Sequence, residues 1–534
     1  MGERALLVGV EDPAAARALV ARVTGHPGME AVAGLRSVLI ISTEPLEEGA
    51  VSELLRGDGD VHAMPSTEHH TIPVIFDGAD LDEAAEVLAL SAEAIIAMLL
   101  EARLEVAMLG FSPGFGYLTG LEGPLATLGR RATPRARVPA GSLAVAASMA
   151  ALYPAATPGG WWLLGRTDTV LFDQGAARPA LFRPGDTVSF VRAASGASPA
   201  LLASWSTPQS TSRDPVDGAV RSLEVMAAPP WVTVVDHPRA GVAAMGVPSS
   251  GPFDHERAQL ARRLVGSSDG CLEVTGTGLD LLCHEPCTVA AIDLVLTVDG
   301  RPVPSGQPIG LGAGQVLRVE DLGRGARGYL AMTGGPGGPV VLGSRGTDVL
   351  SRVGPGPLQV GDRLIADSAT SALPAQAALL ADPEVPIVRV TEGPHARVLR
   401  YGVSSLTGWR GVVGASSSKV GIRLSSSLEP LVRHGGEITS IPVVTGAVQL
   451  VPDGTAIVLG PDHATVGGYP VIAIVIDADL GLLGRLGPGD EVRVEVVSRA
   501  EAAAARQARS AVLDGAVSGV SPSVEDQGRL ASWG

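Results

Sequence analysis

Apolar positions change period several times along the chain. Residues 5–10 form a short apolar run that reads as a strand, Pro13–Val23 has helical spacing, and Ser37–Ser42 is a second strand. Together they predict a small α/β domain over residues 1–70. Residues 72–76 are another strand. Over 81–103, Leu81, Ala84, Ala85, Leu88, Ile95, Ile96 and Leu99 recur at roughly helical spacing, with Asp82, Glu83, Glu86 and Glu93 between them. This predicts a helix whose second half starts at Ser91 as N-cap. From 109 to 192 short apolar runs alternate with Gly and Pro, the pattern of a barrel or sandwich, so 71–192 reads as a β-barrel domain. Residues 193–230 are rich in Ala, Ser, Pro and Thr and read as a linker, with a short helix at 216–226. Further β domains fill 231–370 and 386–498, joined by a connector at 371–385, and 499–534 is a helical tail that frays.

The chain also repeats itself. Pro139-Ala140-Gly141-Ser142-Leu143-Ala144-Val145, then Thr157-Pro158-Gly159-Gly160-Trp161, then Pro184-Gly185-Asp186-Thr187-Val188 recur in order. Their echoes are Thr445-Gly446-Ala447-Val448, Thr465-Val466-Gly467-Gly468-Tyr469 and Pro488-Gly489-Asp490-Glu491-Val492. A weaker echo, Val360-Gly361-Asp362-Arg363-Leu364, closes the middle region. A Pro-Gly turn feeding an alternating strand recurs in each, so similar β-barrels are expected two or three times.

Composition narrows the chemistry. With 46% hydrophobic and 18% charged residues among 534, several cores can form, and disorder and coiled coil are excluded as the main architecture. The formal net charge of −16 gives no basic face for nucleic acid or an anionic membrane. The uncharged stretch 138–165 is broken by Pro139, Pro154, Pro158, Gly159 and Gly160, which predicts buried strands and turns instead of a membrane span. Three cysteines (Cys271, Cys283 and Cys287) make no disulfide framework, and a reducing cytoplasm is expected. Cys283-His284-Glu285-Pro286-Cys287 lacks zinc spacing, and no metal site is expected. Lys419 is the single lysine; it lies in no P-loop context and no biotin-anchor context.

Several motifs carry candidate chemistry. Gly110-Phe111-Ser112-Pro113-Gly114 has the Gly-x-Ser-x-Gly form, but Pro113 has no N–H for an oxyanion hole, so a rigid ligand-facing loop is the better reading. Ser416-Ser417-Ser418-Lys419 fits Ser-x-x-Lys, yet its surroundings read as strand and turn where that motif needs a helix. The two Thr-x-Gly-Gly loops are either tight turns or backbone donors for an anion or oxyanion. Val247-Pro248-Ser249-Ser250-Gly251-Pro252-Phe253-Asp254 is either a helix cap through Asp254 or a polar loop of a pocket. Leu342-Gly343-Ser344-Arg345-Gly346-Thr347 and Glu273 are further pocket candidates.

These stretches resemble a pair of families. Residues 110–118 (GFSPGFGYL), 130–145 (RRATPRARVPAGSLAV) and 153–173 (YPAATPGGWWLLGRTDTVLFD) are similar to the B subunit of 5-oxoprolinase, also known as allophanate hydrolase subunit 1 and related to a sporulation-kinase inhibitor. Residues 246–254 (GVPSSGPFD), 272–275 (LEVT), 342–347 (LGSRGT), 420–424 and 462–473 (DHATVGGYPVIA) are similar to the C subunit of 5-oxoprolinase, the biotin-dependent carboxyltransferase-like family. The resemblance implies a mainly β protein with an α/β N-terminal domain and tandem cyclophilin-like β-barrels, one in the first half and two in the second. It implies fused B and C subunits of a complex that opens the 5-oxoproline lactam to glutamate, with ATP handled by a separate A subunit.

On that footing Arg166, Arg345 and Arg423 are expected to stabilise developing charge, and Asp254 or Glu273 to position water. Ser112, Gly114, Ser142, Thr157, Gly159, Gly160, Ser249, Ser250, Gly251, Lys419, Asp462, Thr465, Gly467 and Gly468 are expected to bind substrate. The expected partners are the A subunit of 5-oxoprolinase, a small-molecule substrate and a further copy of the chain in a homo-oligomer. The alternatives are an allophanate hydrolase or urea-carboxylase-type carboxyltransferase component, using biotin delivered in trans, and a binding module that inhibits a histidine kinase. Departures from the family pattern bear on the substrate. Val235-Asp236-His237-Pro238-Arg239-Ala240-Gly241 replaces a Gln-Asp-x-Gly-Arg stretch, Gly337-Gly338 stands where Gly-Gly-Asp is common, Lys419 stands where arginine is usual, and Met98-Leu99-Leu100 stands where histidine is frequent.

Overall fold

The computed structural model describes residues 1–46, 49, 67–193, 221–366, 376–377, 385–426, 430–435 and 438–518. Strand outweighs helix, 36% against 18%, and the strands build closed and nearly closed barrels. At the N-terminus Ala5–Gly9 and Met29–Ala33 flank Ser37–Ser42 in an antiparallel sheet. Helix α1 (Pro13–Val23) packs Ala16, Leu19 and Val23 inward. Asp12 caps it by accepting from the Ala15 N–H, and Pro13 occupies the first turn.

The helical pattern over 81–103 divides into α2 (Leu81–Leu88) and α3 (Ala92–Glu101). Ala89 turns left-handed at φ 53°, and the Ser91 hydroxyl accepts from the Ala94 N–H. The apolar spacing spans both helices, but the serine cap restarts the second one.

These helices cover a seven-stranded sheet. Its order is His69–Val74, Thr187–Arg192, Leu104–Leu109, Gly116–Thr119, Met149–Leu152, Ser142–Ala146 and Trp162–Arg166. A bridge between Ile75 and Arg166 joins its two edges and nearly closes it. The uncharged stretch is therefore barrel strand, with Ser142–Ala146 buried throughout.

The middle unit is a six-stranded and a five-stranded sheet around one core that includes Leu223, Val225, Leu281, Val289, Leu296 and Leu330. Its strand Ser222–Ala227 overturns the C-terminal part of the helix expected at 216–226. Leu223 and Val225 are buried, Met226 faces out, and both edges of the strand are paired. Period-two burial with a ladder on each side outweighs weak helical spacing. Residues 216–220 lie outside the described residues.

The last unit is a closed barrel, ordered Ile387–Glu392, Val471–Val475, Ala447–Leu450, Ala456–Leu459, Gly421–Ser425, Arg410–Val413 and Glu491–Val496. The internal repeat has a structural meaning. Pro184-Gly185-Asp186 and Pro488-Gly489-Asp490 both feed a strand that runs parallel to the first strand of its barrel. The weaker echo feeds Arg363–Ile365, which pairs antiparallel with Ser222–Ala227.

Three more helices are α4 (His255–Leu264), α5 (Asp477–Arg485) and α6 (Arg499–Gly515). The α6 helix docks across both halves of the chain. Arg499 donates to Gly2 O and Arg506 to Thr43 O, while Arg509 pairs with Glu256 and Arg263 with Asp514.

Candidate functional site

The two halves meet where their glycine-rich loops touch. A Cβ at Gly110 would stand 2.2 Å from Val466 Cγ2, and one at Gly246 would stand 2.4 Å from Ser112 O. The Gly114 N–H donates to Met245 O at 2.9 Å. Only glycine allows these backbones so close. The 110–116 loop runs into the strand Gly116–Thr119, so it is a packing loop between the halves and no nucleophile elbow forms. The Ser112 hydroxyl is buried at this contact without a hydrogen-bond partner.

Barrel register builds the charged centre. Gly421 pairs with Leu459 in adjacent strands. Lys419, just before one strand, therefore meets Asp462, just after the other. Lys419 Nζ lies 3.6 Å from Asp462 Oδ1 and makes no hydrogen bond, although the residue is only 7% exposed. The Ser250 hydroxyl, held at φ 58°, donates to Asp462 Oδ1 at 2.5 Å, and the Val349 N–H donates to Oδ2 at 3.0 Å. Burial pushes the Asp462 carboxyl up, opposed by the Lys419 ammonium. Nearby Asp348 accepts from the N–H groups of Leu350 and Ser351. Burial and the Asp462 charge raise its pKa to about 7. Arg239 is buried behind this centre and donates to Val341 O at 3.1 Å and Gly346 O at 2.5 Å.

A cleft of about 1170 Å³ opens beside the centre, and Ser249, Ser250, His463 and Thr465 line it. Its far wall is the N-terminal sheet and α6, through residues such as Glu30 and Arg506. His463 Nδ1 pairs with Ala464 O at 2.8 Å, which makes Nδ1 the donor and leaves a lone pair on Nε2. Burial lowers its pKa to about 4, so the ring is neutral at physiological pH.

The sequence candidates divide into three groups. Ser249, Ser250, Gly251, Lys419, Asp462 and Thr465 come together at this centre, with Ser112 and Gly114 on the adjoining loop. Gly467 and Gly468 continue the same 462–468 segment. Asp254 and Glu273 stand behind the 247–254 loop, at most 1% exposed; like Lys419 and Asp462, neither lines the cleft. Glu273 accepts from the Phe253 N–H at 2.8 Å and the Tyr329 hydroxyl at 3.0 Å. Asp254 caps α4 through the Arg257 N–H and pairs with Arg257 and Arg485, each at 3.4 Å. Cap and pocket loop are thus one construction. The Arg345 N–H donates to Asp236 at 3.0 Å, and its guanidinium to Gly338 O.

The remaining candidates stand apart from the charged centre. Arg166 ends a strand of the first barrel and pairs with Asp77 at 3.0 Å, and the neighbouring Ser142 hydroxyl donates to Pro139 O. Arg423 is exposed on the outer wall of the last barrel. Thr157 and Gly159 pair with the strand Arg135–Val138, and Gly160 accepts from the Arg131 N–H.

Residue-type motifs did not single out His463, which lines the cleft. His463 directly follows Asp462 in the DHATVGGYPVIA stretch, which is a usable signal. No helix among the described residues is long and apolar enough to cross a membrane.

Residues 1–182 match the carboxyltransferase domain, subdomains C and D, and residues 245–496 match the carboxyltransferase domain, subdomains A and B. The chain is 36% identical over 204 residues to the 5-oxoprolinase B subunit of Escherichia coli O157:H7, covering 36% of this chain and 93% of that protein. It is 28% identical over 302 residues to the 5-oxoprolinase C subunit of Haemophilus influenzae, covering 55% of this chain and 96% of that protein. It is also 29% identical over 332 residues to the urea amidolyase of Lachancea kluyveri, covering 55% of this chain but 18% of that much longer protein. The crystal structure of TTHA0988 superposes with a TM-score of 0.80 at 31% identity, covering 93% of this chain and all of that one.

Proposed function

Because the chain belongs to the carboxyltransferase-domain family and joins a half like the B subunit of 5-oxoprolinase to a half like its C subunit, we propose that it is the fused B–C component of a lactam-opening enzyme. In this reading a separate ATP-binding protein, the A subunit, activates 5-oxoproline, and this chain takes the activated ring to glutamate. One observation carries the reading: the two halves cover 93% and 96% of the two relatives, in one polypeptide. The three buried free thiols suit a reducing cytoplasm.

The chemistry follows from the charged centre. A lactam carbonyl resists water. Once its oxygen carries a phosphoryl group from the A subunit, water adds to the ring carbon and the C=N electron pair moves to the ring nitrogen. That nitrogen takes a proton and leaves as the amine, and hydrolysis of the acyl phosphate so formed releases glutamate and phosphate. Lys419 Nζ, buried and lacking a hydrogen bond, is the donor for the phosphoryl oxygens, and the Ser250 hydroxyl, donating to Asp462, holds the carboxylate beside it. Such donors act most strongly where water is excluded. His463 Nε2 accepts the proton of the attacking water, with Ala464 O fixing the tautomer. Asp462 balances and orients Lys419. Asp254 and Glu273 act one step removed, as positioning residues that hold the 247–254 loop.

The urea-amidolyase similarity supports a second reading, a carboxyltransferase acting on a biotin carrier supplied in trans. The purified chain, mixed with an ATP-binding A subunit, ATP and 5-oxoproline, is expected to release glutamate. The same chain mixed with carboxybiotin and urea is expected to give no turnover. Turnover of urea without glutamate release would reverse the assignment.

A further inference from the structure

Phe253 belongs by sequence to the 247–254 loop of the middle unit, yet its ring sits in the core of the last barrel. It is 4% exposed, and that core also holds Ile422, Leu482 and Leu483. Two glycines of the barrel unit make room for it. A Cβ at Gly484 in α5 would stand 3.0 Å from Phe253 Cδ1, and one at Gly460 would stand 3.0 Å from Phe253 Cε2. The Arg327 guanidinium lies over the ring, 4.7 Å from its centroid, and donates to Gly484 O at 2.6 Å. The Phe253 N–H donates to Glu273, so both the backbone and the ring of this residue are fixed.

Gly460 opens the turn that carries the charged centre. The His463 N–H donates to Gly460 O at 3.3 Å, closing a turn over Gly460-Pro461-Asp462-His463. Three sets of contacts hold that turn. The Gly460 N–H donates to Val420 O at 3.0 Å, and the Asp462 N–H to Lys419 O at 3.3 Å. The Ser250 N–H donates to Pro461 O at 3.2 Å, and its hydroxyl donates to Asp462. The Phe253 ring stands against Gly460, and Gly460 stands against Lys419, whose carbonyl oxygen would be 2.2 Å from an added Cβ. Ser250 and Phe253 are three residues apart, so one short loop grips the turn at two points. In a close-packed core, removing a ring leaves a space into which the adjoining backbone can relax.

We propose that Phe253 is a positioning residue for the charged centre: its ring presses the turn over residues 460–463 against Lys419 and so sets how Lys419 faces Asp462. The middle unit thereby controls a centre whose lysine and carboxylate both belong to the last barrel. As a statement about catalysis this rests on the lactam-opening reading; as a statement about the geometry of the centre it does not.

Lys419 is the only lysine, so its acetylation can be followed on one peptide by mass spectrometry. The test is the rate of that acetylation by acetic anhydride in the full chain, at mildly alkaline pH and at a temperature where each variant keeps its native far-ultraviolet dichroism. Phe253→Ala is expected to speed it at least about ten-fold and Phe253→Leu several-fold, through local opening of the turn. Phe253→Leu keeps an apolar side chain, so it carries the test if the alanine variant loses its fold. Leu424→Ala is the control for lost packing alone. Leu424 lies in the same core but pairs with Ala456, at the other end of the two strands from Lys419 and Asp462. Its rate is expected to stay within about two-fold of wild type, because distant core sites act independently. An unchanged rate in the Phe253 variants, or an equal acceleration in Leu424→Ala, overturns the proposal. With the A subunit and ATP, Phe253→Leu is expected to lower kcat for glutamate release about ten- to a hundred-fold at unchanged KM. A raised KM with kcat intact would remove the catalytic part of the role. A wild-type chain that releases no glutamate, while Lys419 acetylation still responds to Phe253, sinks the lactam reading alone and upholds the positioning role.

Discussion

Lys419 is the only lysine in the chain, and it sits buried against Asp462. Its singularity was legible from composition. Its partner was not, because the pairing depends on the register of two barrel strands. The neighbouring Asp348 and His463 give opposite pH signatures. The folded-state pKa of Asp348, about 7, lies above its ordinary value of 3.8. Its contribution to stability is therefore fully present below about pH 4 and lost as pH rises through about 7. Asp348→Asn keeps an acceptor for Leu350 and Ser351 and removes the charge. Its melting temperature is expected to exceed wild type at pH 8, with the difference vanishing near pH 4. A variant less stable than wild type at pH 8 would contradict the assignment. His463 is depressed to about 4 from 6.5, so its contribution is present above about 6.5 and lost as pH falls through 4. As a base it stays unprotonated well below neutrality. Glutamate release is expected to hold its rate down to about pH 5, and His463→Gln to lose about 10²–10⁴-fold. An acid limb near pH 6.5 would remove it from that role.

At the level of elements, sequence periodicity located α1, the strand runs and the Pro-Gly-Asp turns, since each is decided by local spacing and capping. It placed the N-cap of the second half at Ser91 but read 81–103 as one helix, because Leu88 and Leu90 continue the apolar pattern across the break. It missed the strand Ser222–Ala227 because only pairing with Leu279–Cys283 and Arg363–Ile365 makes that segment extended. The α6 helix was legible as a helix, but its docking was not, since that depends on arginines reaching residues hundreds of positions away. The half-buried pair of Arg509 with Glu256 ties α6 to α4. Arg509→Ala is expected to cost about 1–3 kcal/mol in urea unfolding, the range for hydrogen bonds to charged groups. A shift below a few tenths would mean that α6 is held by other contacts. Gly110→Leu would drive a side chain into Val466, and it is expected to lower the melting temperature and expose the aromatic cluster of Phe115, Tyr117 and Trp161 to dye binding. Wild-type behaviour would show the two loops free to part.

For the whole molecule, the family resemblance and the internal repeat both pointed to tandem barrels, and these are present. The sequence did not reveal that the loops of the two halves interlock. Cleaving the chain between 194 and 220 is therefore expected to leave two fragments that stay associated in gel filtration; separate elution would mean that the covalent join alone holds them. The charged centre at this contact is proposed to open an activated lactam. It is tested most directly by glutamate release from 5-oxoproline in the presence of ATP and an ATP-binding A subunit, comparing wild type with Lys419→Met. Release is expected to require both proteins and to fall about 10²–10³-fold in the variant. Glutamate release by Lys419→Met at the wild-type rate would contradict it.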